Sequence, residues 1–303
     1  MLLHTFSKGN IMAQNLIFSR NASNGELGAE RMRYLAPAIF ADTVKDTLTP
    51  RYAQLRTADV LPVLADHGFV PVQAAQKRSR KTSPEHTQHM VAFAHRDSLI
   101  DTYNADAQRG EIILYNSHDG SGSIKLFAGA YRFICSNGIV AGDGYESRLY
   151  HNQANVNSFE LMLTNTVKRL PLLLERIEQM RGIQLSRDAQ WEMAKQSAMT
   201  RWDWTHIPEL LADDVVVRGS YATGGTVQSL LTPHRIADGY DDAWTVFNRI
   251  QENVIRGGAL IKSFTEKNPD GSYRKARAVN SVAENVRVNR ELWDIAENTL
   301  ELA

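Results

Sequence analysis

The chain has 303 residues, 43% hydrophobic and 22% charged, a balance typical of a soluble, folded protein with one large domain or two modest ones. Lys plus Arg and Asp plus Glu each total 34, which excludes a global positive field, so any binding to nucleic acid must come from a local patch. The single cysteine, Cys135, excludes an intrachain disulfide framework and a cysteine-based zinc site, and it fits a reducing compartment. The sequence has no apolar run long enough for a membrane span and no secretory signal, so we expect a cytoplasmic protein that does not enter a membrane.

The N-terminal part of the chain divides into two predicted regions. Residues 1–50 are predicted to form a loop-rich arm, and residues 51–154 a sheet-rich α+β region. A short strand at Tyr52–Arg56 and a helix over Ala58–Asp66, capped by Thr57, open the second region. Alternating or continuous apolar residues then predict strands at Phe69–Gln76, Thr87–His95, Glu111–Tyr115 and Ser123–Ile134. Pro71 lacks a backbone donor and therefore favours an edge position for the first of these long strands.

Residues 155–303 are predicted to form a helix-rich region packed on the sheet. Apolar residues recur at helical spacing from Phe159 to Met180, and Pro171 within this run predicts a kink or a helix boundary. Ser186 is predicted to cap the next helix. Two more helices are predicted at Ala243–Arg256 and Ser281–Glu301. The predicted fold class is therefore α+β, with a mixed or antiparallel sheet in the N-terminal half and helices in the C-terminal half.

Two polar, turn-forming clusters flank the predicted strand at Ser123–Ile134. They predict that Asn116, His118, Asp119, Arg132 and Asn137 meet at one end of the sheet. We interpret the first cluster, residues 116–123, as a structural turn whose polar side chains bond to backbone, because its glycines supply positive φ. In this interpretation Arg132 reaches toward that turn.

Catalysis and metal binding are the alternatives for this motif. His118 and Asp119 could act as a general base with an orienting carboxylate, although adjacent residues on a turn seldom face each other. A metal site could combine them with His86, His89 or His95, but histidines three apart on a strand or loop do not present one face. Structural use of the turn is the favoured interpretation.

Cofactor chemistry finds little support in the sequence. The glycines at Gly120-x-Gly122 and Gly224-Gly225 lack the Lys-Ser/Thr ending of a P-loop and the full dinucleotide fingerprint. Cys135 follows an apolar run and is expected to be a small buried hydrophobe. We therefore predict no cofactor and no metal.

A cluster of positive charge stands between the first two long strands. The basic run, residues 77–81, carries four cations at the tip of a predicted hairpin, where it can sit against a phosphate backbone. The alternative is an ordinary solvated loop or a cluster that protects a sheet edge. A second basic segment lies beside Tyr273. The candidate nucleic-acid-binding residues are Lys77, Arg78, Arg80, Lys81, Arg274, Lys275 and Arg277.

Three motifs together resemble a known family. They are Asn-Ser-His-Asp-Gly at 116–120, Arg132-Phe133-x-Cys135-Ser136-Asn137-Gly138, and Asn289-Arg290-x-Leu292-Trp293. They are similar to the domain of unknown function 932 (DUF932) family of phage/plasmid-like proteins, and the resemblance runs from about Arg51 to the C-terminus. It implies a bacterial cytoplasmic protein encoded on a mobile genetic element, where DNA processing, recombination and evasion of host defence are common roles.

The leading hypothesis is a non-enzymatic, DNA-associated accessory protein that handles single strands in recombination or transfer. The basic run would contact single- or double-stranded DNA, with Tyr273 or Trp293 stacking on bases. The first rival is a counter-defence protein that binds a host defence protein, which the near-zero net charge favours. The second is a metal-dependent hydrolase that uses His118 and Asp119. A homo-oligomer is compatible with each hypothesis.

Overall fold

The computed structural model describes residues 25–43, 45, 48–77, 83–99, 108–132, 137–140, 145–152, 154–202, 230–257, 260–265 and 268–302. An antiparallel sheet fills the N-terminal half of this part of the chain and most helices follow it, so the predicted α+β class is confirmed. The sheet comprises β1 (Phe69–Gln76), β2 (His89–His95), β3 (Gln108–Asn116), β4 (Ile124–Arg132), β5 (Asn137–Val140) and β6 (Glu146–Leu149). The helices are α1 (Ala29–Leu35), α2 (Thr57–Asp66), α3 (Val156–Val167), α4 (Leu170–Gly182), α5 (Arg187–Met199), α6 (Ala243–Arg256) and α7 (Val282–Leu302). A separate hairpin pairs β7 (Leu260–Thr265) with β8 (Asn268–Lys275).

The sheet is a meander in which β1, β2, β3 and β4 follow one another in space as in sequence. Both β5 and β6 lie along the free edge of β4, with β5 beside Gly129–Arg132 and β6 beside Ile124–Phe127. The edge position of β1 confirms the prediction made from Pro71. The predicted antiparallel pairing of the strands on either side of the basic run is also confirmed.

Each face of the sheet is buried under different helices. The first face packs against α2, α3 and α4, and it contributes the larger core, which includes Ala74, Val91, Phe93, Ile112, Leu114, Leu126 and Ala128. The second face carries Ala75, Met90, Ala92, Ala94, Ile113, Tyr115 and Phe127, which cluster with Val282 and Val286 of α7. Because side chains alternate along a strand, the continuous burial of β2 requires cover on both faces.

Helix α6 lies at the centre of the C-terminal half and is buried from Ala243 to Ile255. It packs on α7 through Phe247, whose ring centroid lies 5.8 Å from that of Trp293. A buried amide pair also joins the two helices, since Gln251 Nε2 donates to Asn289 Oδ1 at 2.7 Å. The larger core includes apolar residues of both predicted regions, and the boundary at residue 154 remains a prediction.

Several local predictions are confirmed at the level of caps and boundaries. Pro171 lies in the first turn of α4, so the long apolar run is two helices separated at Lys168–Arg169. Ser186 caps α5 by accepting a hydrogen bond from the Ala189 amide at 3.2 Å. Helix α6 has the predicted bounds, because Asp242 caps its start.

Other local predictions are wrong. The segment Tyr52–Arg56 is not a strand, because its Ala53 amide donates to His151 O instead of entering a ladder. Thr57 is the first residue of α2 and does not cap it. Helix α1 and the β7–β8 hairpin were not predicted. Among the helices of the described residues, none is long and apolar enough to cross a membrane.

Replacing Asn289 tests the amide connection between α6 and α7. Asn289→Ala removes the acceptor of Gln251 and the hydrogen bonds from Asn289 Nδ2 to Asn285, at 2.9 and 3.0 Å. We expect the unfolding free energy to fall by about 2–3 kcal/mol, because a buried donor loses its partner. Chemical denaturation measures this change. Asn298→Ala, at an exposed position of the same helix, is the control and should change the unfolding free energy by less than about 0.5 kcal/mol.

Candidate functional site

The motif turn, residues 117–123, joins β3 to β4 and is held by its own side chains. Asp119 Oδ1 accepts a hydrogen bond from the Ser121 amide at 2.9 Å, and the Ser117 hydroxyl donates to the same carboxylate oxygen. Gly120 has φ of 80°, and a Cβ there would collide with Leu48. This backbone therefore favours glycine at position 120.

A buried polar network joins the end of β3 to the start of α2. Asn116 Nδ2 lies 3.1 Å from Thr57 Oγ1 and 3.2 Å from Leu55 O. Thr57 Oγ1 lies 2.7 Å from His89 Nε2, while His89 Nδ1 lies 3.0 Å from Thr87 O. A carbonyl can only accept, so the proton of neutral His89 is assigned to Nδ1 and its Nε2 accepts from the Thr57 hydroxyl.

His118 extends this network but leaves one nitrogen unused. Its Nε2 lies 3.3 Å from Asn116 Nδ2 and accepts from that amide, which places the proton of the neutral ring on Nδ1. Nδ1 is buried without a hydrogen-bond partner among the described residues, although the Glu85 backbone is close enough to favour the cation slightly. The His118 and His89 rings meet edge to face, with centroids 5.0 Å apart.

His151 is a third histidine in this region, and no motif in the sequence marks it. Its ring centroid lies 4.6 Å from that of Tyr52, whose hydroxyl donates to Ser117 O at 3.2 Å. Both of its ring nitrogens are buried without a partner of normal hydrogen-bond geometry in the described part of the chain. We call His89, His118 and His151 the histidine cluster.

Burial keeps the histidine cluster neutral. Desolvation lowers the pKa of His89 to about 4, and desolvation together with His89, His151 and His86 lowers the pKa of His118 to about 3. Desolvation also lowers the pKa of His151. A general base works best with a pKa near the operating pH, and it must reach its substrate. His118 is fully buried and meets neither condition.

The catalytic and metal alternatives gain no support from this geometry. Asp119 bonds to Ser117 and Ser121, whereas His118 bonds to Asn116, so the two side chains do not form a base with its carboxylate. His95 lies at the opposite end of β2 from His89, and His86 instead contacts Thr43. Within the described ranges, no group of three or more His, Cys, Asp or Glu side chains could hold a metal ion.

The predicted meeting of the two motif clusters is wrong. Asn116 ends β3 beside the start of β4, whereas Arg132 ends β4 and pairs with Gln108 and Asn137. Eight residue steps along β4 separate Ile124 from Arg132, a distance of roughly 27 Å. The second motif therefore lies at the other end of the sheet, and Phe133, Cys135 and Ser136 lie outside the described residues.

A second polar group lies on the other face of the sheet, centred on Glu146 of β6. Its carboxylate binds Lys125 at 3.3 Å, Arg148 at 2.8 Å and Arg290 of α7 at 2.8 Å. Arg169 also donates to the Glu146 backbone carbonyl, at 2.6 Å. We call Lys125, Glu146, Arg148 and Arg290 the Glu146 group; it sets three cations against one carboxylate.

The predicted nucleic-acid-binding residues are placed only in part. Lys77 is exposed directly after β1, and Arg78, Arg80 and Lys81 lie outside the described residues. Arg274 and Lys275 end β8, and Arg277 follows with an exposed side chain. Trp293, proposed above as a stacking group, is fully buried against Phe247 and Tyr145 and cannot reach a base.

The fold and the motif turn define a protein class: an α+β protein whose antiparallel meander carries a buried histidine cluster at its turn end. The chain belongs to the family described as Domain of unknown function (DUF932), whose model matches residues 46–293, which confirms the resemblance found in its motifs. It is similar to two proteins of Escherichia coli (strain K12), each aligned over 276 residues that cover 90% of this chain and 92% of the relative. UPF0380 protein YafZ is 30% identical and UPF0380 protein YfjQ 29% identical. No solved structure matches the chain.

The neutral histidines make stability depend on pH. Their pKa values in the folded protein, about 3 for His118 and about 4 for His89, lie below the ordinary value near 6.5 of an unfolded chain. The unfolded state therefore binds more protons below about pH 6.5, and the unfolding free energy should fall as the pH drops from there toward 4. Each such histidine contributes up to about 1.4 kcal/mol per pH unit.

His118→Ala separates the contribution of this ring from those of the other histidines. We expect a loss of about 1–3 kcal/mol at pH 7, because a buried ring and its hydrogen bond to Asn116 are removed. The slope of unfolding free energy between pH 6 and 4 should become shallower. His95→Ala, at a ring that is 43% exposed, is the control. An unchanged pH slope in His118→Ala would show that His118 is not held neutral.

Proposed function

We propose that this protein binds a nucleic acid backbone through the turn end of its sheet, as an accessory protein of a mobile element that handles single strands in recombination or transfer. The observation that carries the proposal is the Glu146 group, in which Lys125, Arg148 and Arg290 share one carboxylate. Asp294 and Glu291 of α7 also act on Arg290, so the positive charge that Glu146 does not balance lies at Lys125 and Arg148, and phosphate oxygens are natural partners for it.

The strand register supports one continuous contact region. Gln76 pairs with His89, and His89 pairs with Asn116 at the end of β3. One residue further into β3, Tyr115 pairs with Lys125, and Lys125 pairs with Arg148. The basic run follows Gln76 directly, so it leaves the sheet at the same end as the Glu146 group. Lys77, the described residue of the basic run, and the three cations of the Glu146 group therefore belong to one end of the fold.

The cations of the Glu146 group border a cleft between β4 and α7. This cleft has a volume of about 380 Å³, and its polar lining mixes cations and acids: Lys125, Arg287 and Arg290 with Glu291 and Asp294, beside Tyr115. The Arg290 guanidinium lies 5.7 Å from the centroid of the Phe127 ring. Both rings are buried, at 7% exposure for Tyr115 and 0% for Phe127, so they support the cations from the core and, like Trp293, do not stack on bases. The proposal therefore rests on contacts to the nucleic acid backbone.

Nearby acids should keep this binding modest. Arg287 is paired with both Glu284 and Glu291, so these three residues together carry one negative charge, and Asp294 is a further acid of the lining. The whole chain also has a net charge of zero. We therefore expect binding that depends strongly on salt, in the range of about 10⁻⁴–10⁻⁶ M that is typical of nonspecific contacts.

Removal of the basic run tests the proposal. Alanine at Lys77, Arg78, Arg80 and Lys81 should flatten the slope of log affinity against log salt by roughly 0.7 for each lost single-strand contact. Fluorescence anisotropy with a labelled oligothymidylate, over a series of salt concentrations, measures this slope. A control variant with alanine at Arg31, Arg176, Arg181 and Lys195 removes equal charge from helices away from the turn end. Equal slopes in both variants, or no binding by the wild type at low salt, would leave the host-protein rival ahead.

Neutralising the shared acid should act in the opposite direction. Glu146→Gln removes the negative charge that Lys125, Arg148 and Arg290 share, so we expect tighter single-strand binding and a steeper salt slope, by up to roughly 0.7 for each added phosphate contact. Thermal stability should fall, because the three cations then repel one another. Glu178→Gln makes the same charge change at an acid that is 64% exposed on α4. Weaker binding in Glu146→Gln than in this control would contradict the proposed role of the Glu146 group.

A further inference from the structure

A second cleft, of about 610 Å³, opens between the starts of α5 and α6. Its wall includes Arg187, Gln190 and Trp191 of α5, Arg249 of α6, the acid Asp241, and Leu185. Two short backbone contacts bring these helix starts together, since the Leu185 amide donates to Asp241 O and the Ala243 amide to Ile183 O, both at 2.9 Å. The cleft therefore belongs to a fixed junction, and its volume is typical of small-molecule sites.

Arg249 supplies a buried cation with an unused donor. The residue is 7% exposed, and its Nε is buried without a hydrogen-bond partner. Its Nη2 donates to Tyr240 O at 3.1 Å and makes two longer contacts, to Asp241 Oδ1 at 3.3 Å and Gln190 Oε1 at 3.4 Å. The Asp241 side chain is 60% exposed, so solvent weakens its hold on the guanidinium. A buried guanidinium with a free N–H is a site for an anion.

The start of α5 adds a second, independent attraction for negative charge. This helix has 13 residues, and its cap Ser186 accepts from the Ala189 amide. The amides of the first turn point out of the helix start, and the helix dipole favours an anion there. Arg187 lies in that turn and lines the cleft. Asp188 is the opposing acid of the same turn.

The remaining wall fits a flat, apolar group. Trp191 offers an aromatic ring, and Leu185 and Leu231 complete the apolar part of the lining. Gln190 Nε2 donates to Leu185 O at 3.1 Å, and an amide NH2 has a second N–H that can donate to the edge of a heterocycle. We propose that this cleft binds a nucleoside monophosphate, with the phosphate at Arg249, Arg187 and the α5 start, and the base beside Trp191 and Gln190.

This site is distinct from the surface at the turn end of the sheet. It includes no residue of the basic run or of the Glu146 group, so either proposal can fail without the other. Its phosphate could belong to a free mononucleotide or to the phosphorylated end of a strand. No nucleotide motif marks it in the sequence, because its parts come from two helices separated by more than 40 residues along the chain.

Calorimetric titration with deoxyadenosine monophosphate tests the site, with deoxyadenosine as the ligand that lacks phosphate. We expect the monophosphate to bind and the nucleoside to bind at least about tenfold more weakly, as a lost charged hydrogen bond predicts. Arg187→Ala and Arg249→Gln should each weaken the monophosphate by about tenfold, and Lys195→Ala on the same helix should not. Equal affinity for both ligands, no binding of the monophosphate at millimolar concentration, or unchanged binding in both arginine variants would overturn the proposal.

Folding and ligand source are resolved in the same experiment. Thermal unfolding shows whether Arg249→Gln is folded; if it is not, the exposed Arg187→Ala variant decides alone. The four-alanine variant of the basic run should keep its affinity for the monophosphate. A short oligothymidylate with a 5′-phosphate that displaces the monophosphate, while its 5′-hydroxyl counterpart does not, would identify a strand end as the ligand. Displacement by neither oligonucleotide would identify the free nucleotide.

Discussion

The register of the antiparallel meander is the constraint on which the rest of the structure depends. His89 and Asn116 are partners across β2 and β3, and so their side chains share the first face and meet Thr57 there. Their neighbours Tyr115 and Lys125 share the second face. Because side chains alternate along a strand, a slip of one residue would exchange the contents of the two faces. It would move His89 away from its hydroxyl partner and Lys125 away from Glu146.

The histidine cluster explains how that register is fixed at a sheet end that is otherwise a loop. A buried polar network is favourable only when its donors and acceptors match, and a one-residue shift leaves several of them unpaired. Thr57 binds His89 from α2, and Asn116 reaches both Thr57 and Leu55 O, so the network also docks the segment before α2. The unused nitrogens of His118 and His151 cost stability. An alternative packing that buried further unpaired donors or acceptors would cost more.

Local sequence signals predicted the elements but not the way in which distant elements share a site. Strand β1 has its predicted bounds because Gly68 and the basic run limit an apolar segment, and α6 has its bounds because Asp242 caps it. The prediction for Arg132 was wrong because the turn precedes β4, whereas Arg132 and its motif lie at the other end of that strand. His151 joins the cluster through tertiary packing alone, with no neighbouring motif residue. The short Tyr52–Arg56 segment read as a strand because composition does not reveal whether a ladder partner is present.

Net charge was the least informative property of the sequence, and the Glu146 group shows why. A total of zero averages over ion pairs that neutralise themselves, such as Arg287 with Glu284 and Glu291, and over places where cations outnumber acids. Screening limits the influence of an exposed charge to about 8–10 Å at physiological salt, so a phosphate responds to the local group and not to the total. At the turn end, one carboxylate restrains three cations, and Arg148 is the most exposed of them at 43%. Under the proposed function, an incoming phosphate would engage Arg148 without displacing Glu146 from the two less exposed cations, so we expect this arginine to be the first residue of the Glu146 group that a polyanion contacts.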